Sequence, residues 1–323
     1  MGMRLGINAV SLLAIPLNVQ VLDALAEEPL PLAELSRAVG HPPATTTRSH
    51  LRNLTELGIV SRARETEFPG AVSYSITPSG RGMLSVMEVL RAWLSAAPDG
   101  ELSLGSTGAK SAIKALVDGW STGLMRVLAA RPFALTELSR LLPQTSYPTL
   151  ERRLTAMRRV GLLQAQRKGA NRGTPYEVTP WLRQGVAPLS AAAHWEQQFA
   201  PGQAEPVGKV DVEAMFLLSA PLLELPGSLS GSCRLAVELR SGSNLQFAGV
   251  TASFEAGRLL TCVTQLSSDP DTWVTGSTLD WVRSMSGHGQ QHLEVGGDLD
   301  FGSSVVEALR ASLALGSPVP GTP

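Results

Sequence analysis

The tetrapeptide Glu34-Leu35-Ser36-Arg37 occurs a second time as Glu137-Leu138-Ser139-Arg140, 103 positions further along the chain of 323 residues. The residues around it also repeat. Leu25, Pro29, Leu51, Leu54 and Gly58-Ile59-Val60 return at a shift of 103 as Leu128, Pro132, Leu154, Met157 and Gly161-Leu162-Leu163, and Tyr74, Thr77-Pro78 and Trp93 return at a shift of 102 as Tyr176, Thr179-Pro180 and Trp195. Agreement at this many spaced positions indicates two copies of one small domain.

The repeat divides the chain into three folded parts. The segment between the copies is rich in Gly, Ser and Pro, which is typical of a linker. The predicted divisions are a first domain at 1–97, a linker at 98–109, a second domain at 110–200, a linker at 201–208, a third domain at 209–316 and a tail at 317–323.

Each copy is predicted to fold as three helices, a β-hairpin and a closing helix. In the second copy, Thr136 is expected to cap a short helix, and Ser146 to cap a third helix that ends at Gly161. The remaining predicted elements are strands at 162–167 and 175–179 and a closing helix at 181–199, and, in the first copy, a third helix at 45–57 and a hairpin at 61–77. Three helices followed by a two-stranded loop are typical of a winged helix-turn-helix domain.

The third helix of the second copy has one apolar and one polar side. Leu150, Leu154 and Met157 share the apolar side. The other side and the following loop carry hydroxyl groups and cations, which suit contacts to base edges and phosphates. The predicted DNA-binding residues here are Ser146, Thr149, Arg152, Arg153, Arg159, Arg167, Lys168 and Arg172. The alternative is an exposed helix whose arginines contact only solvent, and we favour DNA because the charges coincide with the third helix and the loop.

The corresponding surface of the first copy is less cationic. Its predicted DNA-binding residues are Thr45, Thr46, Ser49, Arg52 and Asn53. However, Glu56 replaces Arg159, and the loop carries Glu65 and Glu67, which repel phosphate. Two interpretations stay open: the copies contact unequal half-sites, or the first copy has become a pairing surface. We favour joint contact with DNA.

A set of spaced residues in the second copy carries a family resemblance. The set is Trp120, Leu128, Glu137-Leu138, Ser146, Leu150, Leu154, Gly161-Leu162, Tyr176, Thr179-Pro180 and Trp195. It resembles an HxlR-type or MarR-type bacterial transcription regulator over most of 110–200 and, more loosely, over 14–97. The resemblance implies sequence-specific binding of double-stranded DNA. Such regulators usually carry one winged helix per chain and pair as dimers, so two copies leave both a monomer and a homodimer open.

Charge is distributed unevenly although the formal net charge is only −1. Residues 110–200 hold 13 Lys and Arg against 5 Asp and Glu, a balance of +8, whereas residues 201–323 hold 6 against 13, a balance of −7. The basic middle favours a polyanionic partner such as DNA. An acidic last third that packs against this middle part would compete with DNA for it.

The last third is predicted to be a small α+β domain. The expected elements are a helix at 210–219, strands at 233–239, 245–254, 259–266 and 272–275, a helix at 278–286, a strand near 293–295 and a final helix at 305–315. The fold class of the whole chain is therefore multidomain α+β: two tandem winged helix-turn-helix domains followed by a small α+β domain.

Three features of this domain carry a second resemblance: the segment Trp273-Val274-Thr275-Gly276-Ser277, the helix with Trp281 and Met285, and the segment Leu293-Glu294-Val295-Gly296-Gly297-Asp298. They resemble the sterol-carrier-protein type 2 fold, which encloses apolar molecules between its sheet and helices. The resemblance implies a hydrophobic small-molecule effector. The candidate ligand-binding residues, each of which also suits an ordinary core position, are Phe216, Phe247, Phe254, Trp273, Trp281 and Met285.

The sequence predicts no catalytic residues, no metal site and no cofactor. Gly287-His288-Gly289-Gln290-Gln291-His292 lacks the last Gly of a dinucleotide-binding motif and the Glu of a zinc protease. Cys233 and Cys262 are expected in the core, and Asp298 and Asp300 in a solvated turn. The first copy also resembles the winged-helix cap of small-molecule methyltransferases, but a Gly-rich cofactor domain is missing. A second enzyme class with tandem winged helices is a DNA-repair glycosylase, but the sequence contains no set of catalytic residues that supports it.

No apolar run is long enough to cross a bilayer, and the apolar stretch at 9–22 is interrupted by Pro16, Asn18 and Gln20. The expectation is a cytoplasmic protein with no membrane partner. The predicted function is a transcription regulator whose third domain binds a hydrophobic effector that changes operator affinity. The alternative is a lipid-binding or scaffold protein whose winged helices mediate protein pairing instead of DNA binding.

Overall fold

In the part of the chain that it describes, the structure, a computed structural model, holds three antiparallel or mixed β-sheets with helices packed on them. It describes residues 6–64, 72–120, 123–166, 173–200, 207–241, 244–285 and 292–313. The elements fall into two helix-rich units, residues 6–95 and 107–199, and a β-rich C-terminal part, residues 207–313.

The described residues of the first unit form five helices and a small sheet. Its elements are α1 (Ile7–Leu13), α2 (Pro16–Glu27), β1 (Leu30–Pro31), α3 (Leu32–Ala38), α4 (Ala44–Glu56), β2 (Val60–Arg64), β3 (Val72–Ile76) and α5 (Pro78–Ser95). The sheet order is β1-β3-β2, all antiparallel. Strand β1 was not predicted, because two residues are too short for an alternating pattern to be visible in the sequence.

The second unit has the same order of elements and the same strand order. Its elements are α6 (Thr107–Trp120), α7 (Leu124–Ala130), β4 (Phe133–Ala134), α8 (Leu135–Leu141), α9 (Tyr147–Arg159), β5 (Leu163–Ala165), β6 (Pro175–Val178), α10 (Pro180–Gln184) and α11 (Val186–Phe199). Its sheet runs β4-β6-β5. The helix at 181–199 that the sequence predicted is divided at Gly185, which ends α10 and precedes α11.

Two equivalent threonines fix the closing helix of each unit to the turn after its third helix. The Thr77 hydroxyl lies 2.7 Å from the carbonyl oxygen of Gly58 and accepts a hydrogen bond from Gly80 N at 3.0 Å. In the second unit, the Thr179 hydroxyl lies 2.9 Å from Gly161 O and accepts from Leu182 N at 3.2 Å. The repeated Thr-Pro dipeptide is thus a helix start with Thr at the N-cap and Pro at the first helical position.

The caps of two other helices differ from the prediction. Helix α8 begins at Leu135, so Thr136 lies inside its first turn and does not cap it. Instead, the Glu137 carboxylate accepts a hydrogen bond from Ala134 N at 2.9 Å. Ser146 is at the N-cap of α9, but its hydroxyl donates to the Thr149 hydroxyl at 2.9 Å and makes no side-chain bond to a backbone N–H.

The two units pack against each other through α5 and α11 and through α1. Trp93 of α5 stacks on Trp181 of α10 with 4.6 Å between the ring centroids. Each indole N–H of this pair donates to the other residue's carbonyl oxygen, at 2.9 and 2.7 Å. At the equivalent place on the other side, the indole N–H of Trp195 donates to Ser79 O at 2.7 Å. In the repeat, Trp195 is the equivalent of Trp93, and Trp181 is the equivalent of Ser79, each 102 positions further on. The tryptophan of each unit therefore donates to the equivalent carbonyl oxygen of the other unit, as in a dimer with two-fold symmetry.

A buried carboxylate also joins the units. Glu196 of α11 is 4% exposed, and its carboxylate accepts a hydrogen bond from Ala9 N at 2.8 Å, in the first turn of α1. Burial raises the pKa of the Glu196 carboxyl, and hydrogen bonds from the backbone of Ala9, Gly6 and Asn8 oppose this shift in part. The folded state therefore binds a proton at this group more readily than the unfolded state does.

We expect the Glu196→Gln variant to gain thermal stability relative to the natural protein as the pH rises from acidic to neutral. The raised pKa means that the contribution of Glu196 to stability is complete below the ordinary carboxyl pKa and is lost as the pH rises through the folded-state value. Gln keeps the acceptor for Ala9 N and does not titrate. The measurement is Tm against pH for both proteins, and a difference in Tm that does not change with pH would contradict the expectation.

The C-terminal part is a five-stranded sheet with helices on one face. Its elements are α12 (Lys209–Ser219), a 3-10 turn (Ala220–Leu222), β7 (Gly231–Ser241), β8 (Asn244–Glu255), β9 (Arg258–Val263), β10 (Thr272–Ser277), α13 (Thr278–Met285), β11 (Glu294–Gly297) and α14 (Leu299–Leu313). The strand order is β11-β10-β7-β8-β9, with β10 and β7 parallel and the other pairs antiparallel. Helix α14 begins six residues before the predicted start, because Asp298 accepts a hydrogen bond from Phe301 N at 3.0 Å and caps it.

The C-terminal part is attached to the second unit through α12. Glu213 is 1% exposed and pairs with Arg126 of α7. The indole N–H of Trp120 donates to the Asp211 carboxylate at 3.0 Å, and Arg183 of α10 donates to Leu217 O at 3.0 Å. Acidic and basic parts of the chain therefore meet, as the charge pattern suggested, but on α7 and α10 and not on the polar side of α9.

Both cysteines are free, with Cys233 buried and Cys262 partly buried. Burial raises the pKa of each thiol to about 12. Among the described residues, no single helix is long and apolar enough to cross a membrane. Helices α1 and α2 together have the length and the apolar composition of a membrane span, but they are bent by 85° relative to each other.

Candidate nucleic-acid interface and ligand cavity

Helix α9 presents the polar side that the sequence predicted. Leu150, Leu154 and Met157 have no exposed surface and anchor the helix in the second unit. On the opposite side Ser146, Arg152 and Arg159 are exposed, and Thr149 and Arg153 are partly buried. Arg153 is therefore less available to a duplex than its neighbours, because it sits on the flank of the helix that faces the unit. Arg167, Lys168 and Arg172 lie outside the described residues.

Helix α4 has the equivalent arrangement in the first unit. Leu51, Leu54 and Thr47 are buried. All five predicted DNA-binding residues are exposed, namely Thr45, Thr46, Ser49, Arg52 and Asn53. Glu56 is exposed on the same helix, and Glu65 and Glu67 lie outside the described residues.

The contacts between the units leave both polar sides open. They are made by α1, α5, α10 and α11, whereas α4 and α9 point their apolar residues into their own units. The C-terminal part does not cover Arg152 or Arg159, both of which are exposed. Helices α4 and α9 therefore occupy equivalent positions in their units, and each has an exposed polar side that a DNA duplex can reach. The exposed side of α9 is strongly cationic, and that of α4 is nearly neutral.

A cavity of about 540 Å³ lies where the two units and the C-terminal part meet. Its volume falls in the range of about 300 to 1,000 Å³ that is usual for small-molecule sites. Helices α5 and α11 form one wall, and α12, α13, α14 and β7 form the other. The residues that line it are mainly apolar: Gly82, Val86, Val89, Val186, Ala187, Ala191, Trp195, Phe199, Val207, Val212, Met215, Phe216, Val237, Trp281, Val282, Met285, Leu309 and Leu313.

Three of the six candidate ligand-binding residues line this cavity, namely Phe216, Trp281 and Met285. The other three lie elsewhere. Phe254 is buried against Phe301, and Trp273 packs on the backbone of Gly296 with Arg234 5.9 Å from its ring centroid. Phe247 is 47% exposed on β8. These three are aromatic residues of the third domain, but in the structure Phe254 and Trp273 have packing partners of their own and Phe247 faces solvent.

The polar lining includes residues that sequence reasoning missed. They are Ser85, Ser190, His194, Gln198, Ser219, Thr278 and Arg310. Most belong to the closing helices of the repeated units, and no sequence pattern predicts that these helices lie beside the third domain. Arg310 of α14 is the only Arg, Lys, Asp or Glu among the described residues of the cavity wall.

The described residues contain no group of three or more His, Cys, Asp and Glu placed to hold a metal ion. Asp298 and Asp300 are exposed at the start of α14, and Asp298 caps that helix. The described part of the chain thus combines two exposed polar helices with a largely apolar cavity.

Comparison with known proteins identifies the domain type of the first unit. The family model of the HxlR-like helix-turn-helix matches residues 17–100, which run from α2 through α5. The chain thus carries an HxlR-like helix-turn-helix domain, and the match falls on the first unit, whereas the spaced residues of the sequence resemble such regulators more fully in the second. Among solved structures, a transcriptional regulator of the MarR family from Enterococcus faecalis V583 is similar at 26% identity, over 26% of this chain and 77% of that chain, with a TM-score of 0.24. A search of curated proteins gave no match.

Proposed function

We propose that this chain is a sequence-specific DNA-binding transcription regulator, in which both helix-rich units are winged helix-turn-helix domains and the C-terminal part takes part in binding a hydrophobic effector. The observation that carries the proposal is the pair of exposed polar helices, α4 and α9, in units with the same order of elements. The HxlR-like match over residues 17–100 supports it, because a helix-turn-helix places such a helix in the major groove.

The test is a gel shift with the full-length protein and the DNA upstream of its own gene. We expect a shifted band that survives an excess of unrelated duplex, because base contacts distinguish an operator from other DNA whereas phosphate contacts do not. Binding that the unrelated duplex abolishes, or no binding, would favour the alternative in which the units serve only for protein pairing.

Joint contact by both units agrees with their mutual packing. In a homodimer of one-domain regulators, two symmetry-related helices contact two half-sites. Here Trp93 and Trp181 stack while Trp195 contacts Ser79, so the two units of one chain occupy places like those of two subunits. We infer that one chain spans an operator with two unequal half-sites, the stronger contacted by α9 and the weaker by α4.

The double variant Thr46→Ala, Arg52→Ala is expected to weaken operator binding about tenfold, since a lost base or phosphate contact costs about 1 to 3 kcal/mol and each 1.4 kcal/mol is a factor of ten. Both side chains are exposed, so folding should be unaffected. The measurement is operator affinity at one fixed salt concentration. The matched control is Arg258→Ala, Thr261→Ala, which removes the same two side-chain types from an exposed strand of the C-terminal part. Equal affinities for the double variant, the control and the natural protein would show that α4 does not contact DNA.

The cavity connects the proposed effector to the proposed DNA surface. It is bounded by α5 of one unit and α11 of the other, so a molecule inside it contacts both. Helix α12 faces the cavity with Val212 and Phe216 and is tied to α7 by the Glu213–Arg126 pair. An effector that favours one arrangement of α5 and α11 would change the relative position of α4 and α9. A coupling of about 1 to 3 kcal/mol would alter operator affinity about 5- to 150-fold.

A further inference from the structure

The sheet of the C-terminal part has one face covered by helices and an outer face that is open over part of its length. Val237 and Ala248, which are opposite each other on β7 and β8, lie on the covered face, because Val237 lines the cavity together with residues of α12, α13 and α14. Side chains alternate between the two faces along a strand, so the next cross-strand pair, Glu238 and Phe247, lies on the outer face.

The open part of the outer face carries two apolar and two charged side chains, which we call the outer-face patch. Leu245 and Phe247 of β8 are each 47% exposed. Arg240 of β7 stands directly opposite Leu245, and Glu238 stands directly opposite Phe247. Neither charged side chain has an ion-pair partner among the described residues. The patch is therefore a square with a charged side on β7 and an apolar side on β8.

This square is complementary to a copy of itself. A two-fold axis that runs parallel to the sheet and across its strands reverses the strand direction and turns the outer face over. If the axis lies midway between the levels of Glu238 and Arg240, Glu238 of each protomer faces Arg240 of its partner. The same rotation places Phe247 of each protomer against Leu245 of its partner. Opposite charges and apolar side chains thus meet in one arrangement.

We propose that two copies of this chain form a homodimer through their outer-face patches, with sheet packed against sheet. Stacked sheets lie about 10 Å apart, a distance that side chains such as Phe247 and Leu245 fill. Burial of these side chains supplies the attraction, and the two ion pairs between Glu238 and Arg240 fix the register of the sheets. Each chain already carries both α4 and α9, so the dimer goes beyond the proposed function and does not depend on it.

The size of the open area predicts a weak dimer. Further along the strands, the segment after β9 covers the outer face, since Ser267 N donates to the Thr251 hydroxyl at 2.8 Å and Arg234 donates to Ser267 O at 2.9 Å. The contact is thereby confined to one end of the sheet. Small interfaces are typical of transient complexes, so we expect dissociation in the micromolar range.

The test is sedimentation velocity of the full-length protein over the micromolar concentration range. We expect the natural protein to change from monomer to dimer as its concentration rises. Glu238→Arg and Arg240→Glu should each weaken the dimer about tenfold or more, because each replaces two ion pairs by two pairs of like charges. The double variant Glu238→Arg, Arg240→Glu should dimerise again, since opposite charges face each other once more.

A mixture of the two single variants tests the two-fold arrangement itself. One variant presents two arginines at the patch and the other presents two glutamates, so each repels its own copies and attracts the other variant. We expect Glu238→Arg and Arg240→Glu to associate when mixed at a concentration at which neither associates alone.

Two controls separate the patch from exposed residues elsewhere on the C-terminal part. Phe247→Ser should abolish the dimer, whereas Leu299→Ser, which changes a 58% exposed leucine at the start of α14, should not affect it. Likewise, Arg258→Glu at the far end of β8 and β9 makes the same charge change as Arg240→Glu and should leave the dimer intact. The Tm of every variant, measured on dilute protein, checks that the monomer is folded.

A natural protein that stays monomeric at every concentration would overturn the proposal. So would a dimer that Phe247→Ser leaves unchanged, or single charge variants that do not associate when mixed. None of these measurements contains DNA. Operator affinity is measured at nanomolar protein concentration, where the proposed dimer is dissociated, so the dimer and the regulator proposals are tested apart.

Discussion

Reversal of the charge of Arg152 and Arg159, by the double change Arg152→Glu and Arg159→Glu, is expected to lower operator affinity by about a hundredfold or more. Each arginine that contacts a guanine or a phosphate contributes about 1 to 3 kcal/mol, and a glutamate in its place adds repulsion from the phosphates. Both side chains are exposed on α9, so the loss should come from the interface and not from unfolding. Arg153 is left unchanged because it is partly buried. The measurement is operator affinity by gel shift or fluorescence anisotropy.

The control for this prediction carries the same change in net charge elsewhere. Arg240→Glu, Arg258→Glu alters two exposed arginines of the β-rich part. It should weaken binding only through the general electrostatic field, which falls off within about 8 to 10 Å at physiological salt. A similar loss in both double variants would mean that α9 has no special role, and the proposed interface would be wrong.

Trp93→Ala is expected to lower the free energy of unfolding by about 3 to 5 kcal/mol, as large-to-small changes of buried tryptophan do. Trp93 has no exposed surface, stacks on Trp181 and exchanges a reciprocal pair of hydrogen bonds with it. The variant loses the stack and leaves the Trp181 indole near a cavity between the two units. The measurements are denaturant unfolding and hydrogen exchange of α5 and α11, which should become faster.

Trp273→Ala is the matched control, because Trp273 is a partly exposed tryptophan on the sheet of the C-terminal part. Its loss should cost less stability, and exchange in α5 and α11 should stay as in the natural protein. If the two variants are equally destabilised and exchange in α5 and α11 is unchanged in both, the indole pair does not hold the units together.

The parts of the fold that could be predicted from the sequence are those in which apolar residues recur at regular spacing and those that belong to the internal repeat. The third helices were placed to within one or two residues, at 45–57 for Ala44–Glu56 and from Ser146 to Gly161 for Tyr147–Arg159, because their apolar residues recur at helical spacing. Strands β1 and β4 were missed, since a two-residue strand exists only through its partner in the sheet. The break at Gly185 was missed because a single glycine does not end a helical pattern by itself.

The candidate site was predictable to the extent that it lies within one element. The exposed residues of α4 and α9 follow from the angular positions of residues on a helix. The cavity does not, because its wall combines Val86 of the first unit, His194 of the second and Arg310 of the C-terminal part, and only packing between the three parts brings them together. No local pattern in a sequence specifies such packing. Phe247, Phe254 and Trp273 were chosen as ligand contacts on residue type alone, and their places in the sheet lie apart from the cavity.

The exchange of roles between Trp93–Trp181 and Trp195–Ser79 has a consequence for how the molecule could evolve. In a regulator made of two identical chains, every substitution appears twice, and the site on DNA stays a palindrome. Here the two halves are encoded separately, so Glu56 can stand on one side and Arg159 on the other. If the proposed function holds, a regulator built in this way docks on the double helix in a single orientation, and its C-terminal part points toward one end of the promoter.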